Sequence, residues 1–228
     1  MIRRVAAEFV GSALLAALVI GSGIAAQRLS PADTGLQLLE NALATALGLP
    51  VLILVFATVS GSHFNPVVSL ADAALGGRWR DVPAYIPAQV LGCIGGAALA
   101  NVMFGGAALS ISTTERLDAA RFLSEIVATA GLVLVIFALA RTGRAASIPW
   151  AVGAYIGAAY FFTSSTSFAN PAITVGRIFS DTFAGIAPAS APGFIAAQLL
   201  GGALGYMLVR LFFPHPAPHP APTDHNRV

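Results

Sequence analysis

The sequence has little charge, no lysine and a single cysteine. The low charge argues against a soluble domain, and the single cysteine excludes a disulfide within the chain. Charged residues make up 10% of its 228 positions, whereas a soluble domain carries roughly 25%. All twelve basic residues are arginines. With Cys93 alone, no disulfide can form within the chain, and a buried, unreactive thiol is expected. What remains is 57% hydrophobic with a mean hydropathy of +0.80, which indicates a polytopic membrane protein.

Six apolar stretches are long enough to cross a membrane, since each is near the ~20 helical residues that span about 30 Å of hydrocarbon. The first follows a basic N-terminus, as in a signal peptide, but lacks a clear cleavage site, so we interpret it as a retained helix. The predicted spans are 5–26, 36–59, 83–104, 121–140, 147–163 and 192–213.

Two further apolar segments, 66–75 and 171–183, are too short to span a membrane, and both begin directly after an asparagine, at a proline. Proline is favoured at the first position of a helix, where its missing N–H does no harm. We therefore predict two half-helices that begin at Pro66 and Pro171.

The two halves of the chain, about 5–105 and 120–213, resemble each other. AAEFVGSALLAALV matches LSEIVATAGLVLVI, SHFNPVVSL matches SFANPAITV, and PAQVLGCIGGAALA matches AAQLLGGALGYMLV. These matches align Glu8 with Glu125, Asn65 with Asn170, and Gln89 with Gln198. Because each half has three spans, the second copy must be inverted relative to the first. The predicted fold is an all-α membrane protein with six transmembrane helices and two re-entrant half-helices in an inverted 3+3 repeat.

Inverted copies bring the N-termini of the half-helices together near the centre of the bilayer. Each N-terminus carries roughly +0.5 of a charge from aligned peptide dipoles, so the meeting point opposes cations, protons included. The amides of Asn65 and Asn170 can donate hydrogen bonds to a passing oxygen. An Asn-Pro dipeptide can also mark nothing more than a helix start, but two copies in matching repeats argue against that interpretation.

The segments before the two asparagines, GSHF and STSFA, are predicted to be extended, because a residue that precedes proline avoids the helical region. Extended backbone leaves carbonyls unpaired, which a membrane tolerates only where they line a wet cavity. The pattern predicts a pore for small neutral hydroxyl compounds. Its expected acceptor carbonyls belong to Gly61, Ser62, His63, Phe64, Ser165 and Thr166.

With these motifs the chain resembles the aquaporins, the major intrinsic protein family. The resemblance covers nearly everything from Arg4 to Phe213 and rests on AEFVG, SGSHFNPVVSL, PAQVLGCIGG, SEIVAT, FANPAITVGR and AAQLLGG. It implies a channel domain over 1–213, a homotetramer with one pore per subunit, and passive conduction. The implied partners are the lipid bilayer and small neutral solutes, with no cofactor, no metal and no nucleic acid.

The resemblance assigns the pore junction to the two triplets, and the first triplet departs from the family. Val67 stands where the family has alanine, and we expect it to adjust packing at the junction with little effect on the class of solute. The junction residues are Asn65, Pro66, Val67, Asn170, Pro171 and Ala172.

The expected selectivity filter also departs from the family. In most aquaporins an arginine follows the second triplet and, with an aromatic residue, narrows the outer pore; Ile173 stands there in this chain. Family spacing places the other filter positions near Thr45, Ala158 and Ser167. A filter without charge or aromatic residues would be wide. It favours glycerol-like polyols or metalloid hydroxides such as arsenous acid, as in similar arsenic-associated aquaporins of soil bacteria. A mainly water-conducting channel is the alternative.

Arg177, one helical turn beyond Ile173, has two interpretations. In the first, the positive charge of the filter is displaced to the outer vestibule. In the second, Arg177 pairs with Asp181 at i,i+4 and stays at the surface. The surface pair is the favoured interpretation.

Glu8 and Glu125 are predicted to lie within the membrane at matching repeat positions. Such carboxylates often relay protons, but in this family they accept hydrogen bonds from the half-helix loops. A support role, shared by Gln89 and Gln198, is therefore expected, and a proton-coupled transporter is the alternative. His63 is expected to line the inner half of the pore, with a pH gate as the alternative. No arrangement of nucleophile and base indicates an enzyme.

Arginine positions predict the orientation. With a cytoplasmic N-terminus, the larger group of arginines lies inside, in accordance with the positive-inside rule. We therefore expect a multi-pass protein of a bacterial inner membrane with both termini in the cytoplasm. The Pro-rich tail 214–228 is expected to be disordered, with weak metal binding as an alternative role for His215, His219 and His225.

Overall fold

The computed structural model describes residues 1–214, and every regular element in that part is helical. Within these residues six helices are long and apolar enough to cross a membrane, which confirms the six predicted spans. In chain order the helices are α1 (Ile2–Leu29), α2 (Thr34–Phe56), α3 (Pro66–Ala74), α4 (Val82–Met103), α5 (Ala119–Arg141), α6 (Ile148–Phe162), α7 (Pro171–Arg177) and α8 (Ala191–Phe212), with 3₁₀ turns at Trp79–Asp81 and Ala145–Ser147.

The helix starts follow from local sequence chemistry. The Asp33 carboxylate accepts a hydrogen bond from the N–H of Leu36 at the start of α2, and Asp118 does the same for Arg121 at the start of α5. At α3 and α7 the cap is an asparagine followed by proline, as the sequence predicts. Such caps satisfy donors that would otherwise be unpaired at each helix N-terminus.

Matching helix pairs form the centre of each half of the bundle. Helix α1 packs along α4, and α5 packs along α8, which is the arrangement expected of a repeat. The approach is close because glycines lie at both interfaces: a Cβ on Gly92 would overlap the carbonyl oxygen of Phe9, and one on Gly201 would contact that of Ile126 at 2.5 Å. Helices α2 and α6 pack together and join the two halves.

The two half-helices differ in length from each other and, in one case, from the prediction. Helix α3 ends close to the predicted boundary, whereas α7 ends at Arg177 instead of 183. Beyond Arg177 the backbone is not helical, because it forms hydrogen bonds with the α4–α5 loop. Its bonds there run from Ser110 N to Phe179 O, from Ser112 N to Ile178 O and from Ala187 N to Thr114 O.

The predictions made for the tail lie outside the described residues. These are the disorder of the C-terminal segment beyond residue 214 and the weak metal site of His215, His219 and His225.

Candidate functional site

The two half-helices meet through their asparagines. Asn65 Oδ1 accepts a hydrogen bond from the N–H of Val67, and Asn170 Oδ1 accepts one from the N–H of Ala172, both at 2.9 Å. This fixes the orientation of both amides. Each Nδ2 then donates to a carbonyl of the opposite loop, at 2.7 Å from Asn65 to Ala169 and at 2.8 Å from Asn170 to Phe64. An amide has two N–H donors, so each asparagine keeps one beyond these crossed bonds.

The loops before the asparagines are not extended throughout, and the prediction was wrong on that point. Asn65 and Asn170 themselves are extended, with φ of −152° and −156°. Several residues before them are left-handed instead, with φ between 48° and 62°: Ser62, Phe64, Thr166, Ser167 and Ala169. The physical reason is that pairs of N–H groups in each loop bond to a buried carboxylate, which a simple extended strand would not permit.

Glu8 and Glu125 are those carboxylates. Both are fully buried, and both oxygens of each are engaged. Glu8 accepts hydrogen bonds from Ser60 Oγ (2.6 Å), His63 N (2.9 Å), Phe64 N (2.7 Å) and Gln89 Nε2 (2.8 Å). Glu125 accepts them from Ser165 Oγ (2.6 Å), Phe168 N (2.9 Å), Ala169 N (2.9 Å) and Gln198 Nε2 (2.7 Å). The two sets correspond residue by residue across the repeat.

A cavity of about 290 Å³ lies beside the half-helix junction. We call it the central cavity. One wall comes from the loops and half-helices and carries nine of the residues singled out in the sequence: Gly61, Ser62, His63, Phe64, Asn65, Ser167, Asn170, Ile173 and Arg177. A tenth, Thr45, lies on α2. The other wall is apolar and comes from α1, α2, α5 and α6, with Leu15, Leu49, Leu132, Val152 and Ile156 among its residues.

Other candidate residues lie off this lining. Within residues 1–214, Ser165, whose carbonyl was expected to line the pore, is not among the lining residues of the central cavity or of the vestibule on either side of it, and its hydroxyl donates to Glu125. Thr166 lines a vestibule instead of the central cavity. The remaining junction residues are buried inside the half-helix packing: Pro66, Val67, Pro171 and Ala172.

The filter position assigned to Ala158 is wrong. Ala158 is exposed, on the same outward stripe of α6 as Ala154 and Phe161. Two residues later the helix has turned by about 200°, and Tyr160 faces the central cavity. Its hydroxyl lies 3.2 Å from Thr45 Oγ1. The lining therefore includes an aromatic residue that the sequence-based filter lacked. The i,i+4 spacing of the cavity-facing residues of α6 could have revealed it.

The central cavity shares lining residues with a vestibule on each side. The near vestibule, on the side of the N-terminus, shares Gly61, His63 and Asp72 with the cavity. There His63 Nδ1 lies 3.0 Å from Ser69 Oγ and Nε2 lies 3.9 Å from an Asp72 carboxylate oxygen. The far vestibule, lined also by Arg116 and Arg121, shares Arg177 with the cavity. The shared residues place the three spaces one after another along the bundle.

Arg177 does not pair with Asp181, so the favoured surface interpretation was wrong. Asp181 Oδ1 instead accepts hydrogen bonds from the backbone and hydroxyl of Thr113. Arg177 is only 3% exposed, and its guanidinium carbon lies 3.5 Å from the centroid of the Phe168 ring.

Besides Tyr160, the sequence analysis gave no pore role to Phe168, Asp72 and Arg116, which also line these spaces. Asp72 is the single acid of α3 and could have been noticed there. Arg116 had no local signal, because its partners are the distant carbonyls of Phe183 and Gly185. Burial, with a smaller contribution from Arg121, lowers the pKa of the Arg116 guanidinium to about 10, so it stays charged at neutral pH. Among residues 1–214 no three His, Cys, Asp or Glu side chains are grouped as metal ligands would be.

Six spanning helices, two half-helices that meet end to end, and a central cavity flanked by two vestibules are the architecture of a membrane channel. A family model described as major intrinsic protein matches residues 1–169, which end one residue before the second asparagine. The chain is 50% identical over 210 residues to Aquaglyceroporin AqpS of Rhizobium meliloti, covering 91% of this chain and 89% of that protein. It is 35% identical over 176 residues to Aquaporin NIP1-3 of Oryza sativa subsp. japonica, covering 72% and 60%.

A solved structure has the same fold. The aquaglyceroporin from Plasmodium falciparum superposes with a TM-score of 0.70 at 21% identity, covering 91% of this chain and 95% of that one. The chain belongs to the major intrinsic protein family. It is a passive membrane channel for small solutes.

Proposed function

We propose that this channel conducts small uncharged polyols of the glycerol type, and neutral metalloid hydroxides such as arsenous acid that present hydroxyls in a similar volume. The observation that carries the proposal is Ile173, which faces the central cavity at the position after the second triplet. An apolar side chain there supports passage of a carbon backbone that a charged side chain would obstruct. The 50% identical relative is named an aquaglyceroporin, which is consistent with this solute class.

The two walls of the central cavity suit such a solute. Polar groups on the loop side, including Asn65 and Asn170, can bond to hydroxyls. Leucine, isoleucine and valine side chains on the opposite side can contact the carbon atoms. A solute with hydroxyls on one edge and carbons on the other would exchange its water shell for this lining at low cost.

A mainly water-conducting channel is the second candidate, and one observation favours it. Tyr160 and Phe168 both line the central cavity, and an aromatic ring reduces the space beside Ile173. The Tyr160 hydroxyl also lies within reach of Thr45, which links α6 to α2 beside the cavity.

The experiment is stopped-flow light scattering on proteoliposomes with water, glycerol and arsenous acid as permeants, comparing the wild type with Ile173→Arg. The wild type is expected to pass glycerol or arsenous acid. The arginine variant should pass mostly water, because its longer charged side chain fills the path beside Tyr160. A wild type that passes water alone would favour the second candidate.

A proton-coupled transporter is the weaker alternative. Glu8 and Glu125 each accept four hydrogen bonds, so neither has an oxygen open to the path. The meeting of two helix N-termini adds a positive potential that opposes protons.

We also propose a homotetramer in a bacterial inner membrane, with both termini in the cytoplasm. An even number of spans puts the two ends of the bundle on one side. Apolar residues exposed along α2 would face lipid or neighbouring subunits, among them Leu39, Leu43, Leu47, Val51 and Leu54. The mass of the detergent-solubilised particle would test the oligomer, and labelling of engineered terminal cysteines would test the orientation.

A further inference from the structure

Arg177 lies where the central cavity opens into the far vestibule, and it lines both. Its side chain is held on two sides. Nε donates to the carbonyl oxygen of Ala184, and the guanidinium stacks on the Phe168 ring with its carbon 3.5 Å from the centroid. Within residues 1–214, Nη1 and Nη2 make no hydrogen bond to the protein, so four of the five N–H donors are available to a solute.

The surface under Arg177 is fixed as well. The Phe168 ring packs edge-on against Phe194, with centroids 5.1 Å apart, and Arg116 lies over it with its guanidinium carbon 5.6 Å from the centroid. Arg116 is itself held by the carbonyls of Phe183 and Gly185. A planar cation on a rigid ring keeps its orientation, so its free donors point in a constant direction.

We propose that Arg177 is the specificity-determining residue of this channel. It forms, with Phe168 and Tyr160, a selective constriction at the mouth of the central cavity, one helical turn beyond Ile173. The Nη donors bind hydroxyl or oxo groups of a neutral solute as it enters, and the aromatic rings limit its width. The inference deepens the proposed polyol channel and rests on it, since it says where hydroxyl-bearing solutes are chosen.

The test compares solutes that differ by one hydroxyl: glycerol and propane-1,3-diol, which lacks the central hydroxyl. Permeability is measured by stopped-flow light scattering on proteoliposomes of the full chain, with the rate of empty liposomes subtracted. Arg177→Met removes the donors but keeps a long side chain to cover Phe168. We expect the ratio of glycerol to propanediol permeability to fall by roughly tenfold. This is the change expected when one hydrogen bond between a charged donor and the central hydroxyl of glycerol is lost.

Arg28 offers a matched control. It also stacks on a phenylalanine ring, with its guanidinium carbon 5.2 Å from the centroid of Phe104, and it donates to the Phe104 carbonyl at 2.6 Å. It lines neither the central cavity nor either vestibule. Arg28→Met is therefore expected to keep the wild-type ratio. An Arg177→Met ratio equal to that of the wild type would overturn the inference and leave Arg177 a packing residue.

Two further outcomes separate this inference from the proposed function. If Arg177→Met does not fold, Arg177→Lys takes its place: it keeps the charge but loses the planar stack, and it should give an intermediate ratio, while a wild-type ratio overturns the inference. If the wild type passes no glycerol, the polyol proposal fails and the inference that rests on it is overturned with it. A wild type that passes glycerol, together with an Arg177→Met ratio equal to its own, overturns the inference alone and leaves the proposed function standing.

Discussion

At the scale of single residues, the two buried glutamates fix the geometry of the loops that line the pore. Glu8 and Glu125 each hold two backbone N–H groups of a loop that has little other regular bonding. The left-handed residues beside those N–H groups, such as Phe64 and Ala169, would be strained without that anchor. Their carbonyls can then accept the asparagine amides, so a residue remote from the solute path sets the geometry of the junction.

Removing one of these anchors should destabilise the protein strongly. Glu125→Ala leaves the N–H groups of Phe168 and Ala169, the Ser165 hydroxyl and the Gln198 amide without their acceptor in a buried site. We expect a loss of about 3 kcal/mol or more in the free energy of unfolding, measured by denaturant titration in mixed micelles.

Glu115→Ala is the control, because Glu115 is exposed on the α4–α5 loop and such surface changes stay within about 0.5 kcal/mol. Equal effects of the two substitutions would contradict the anchoring role of Glu125.

Sequence reasoning at this scale succeeded where a residue acts on its own neighbours along the chain and failed where its role depends on packing. The asparagine caps follow from Asn-Pro alone. Which side of α6 faces the cavity depends on how α6 packs against α2, so family spacing selected Ala158 in place of Tyr160. The burial of Arg177 depends on Phe168 and on a carbonyl seven residues away, at Ala184, which no i,i+4 rule anticipates.

At the scale of elements, the half-helices are held by complementary side-chain volumes on the neighbouring spans. Val67, the departure from the family triplet, packs against Gly202 of α8, where a Cβ would overlap its Cγ1. The repeat aligns Val67 with Ala172 and Gly202 with Cys93. One half therefore has a large half-helix residue against a glycine, while the corresponding residues of the other half are an alanine and a buried cysteine, both in the same hydrophobic cluster.

This complementarity predicts rescue between two substitutions. Gly202→Ala should cost about 1–3 kcal/mol because the core beside Val67 is already filled. Val67→Ala alone should also destabilise, through the space it leaves. The double variant Val67→Ala/Gly202→Ala restores the summed volume and should be more stable than Gly202→Ala, measured by thermal unfolding in detergent. Strict additivity of the two single effects would contradict direct packing between these residues.

The ends of the elements were harder to predict than their starts. Both half-helix starts carry a strong local signal in Asn-Pro, and both were predicted to the residue. The end of α7 carries none, because residues 178–187 remain mostly apolar and small while the backbone leaves the helix to pair with the α4–α5 loop. A tertiary contact ends this helix, and local sequence does not predict such a contact.

At the scale of the whole molecule, the inverted repeat places a different vestibule on each side of the central cavity. The near vestibule presents His63 and Asp72, and the far vestibule presents three arginines, Arg116, Arg121 and Arg177. Between them lies the junction of the half-helices, where positive helix ends and amide donors favour a neutral oxygen over a cation. The account therefore predicts passive conduction of neutral solutes without proton flux.

The most direct measurement of this claim records solute and proton movement together. Proteoliposomes of the wild type, loaded with a pH-sensitive dye, would be challenged with a glycerol gradient in the presence and absence of an imposed pH gradient. We expect glycerol to equilibrate at the same rate in both conditions, with internal pH drifting no faster than in empty liposomes. Accumulation of glycerol against its concentration gradient, driven by the pH gradient, would contradict the account.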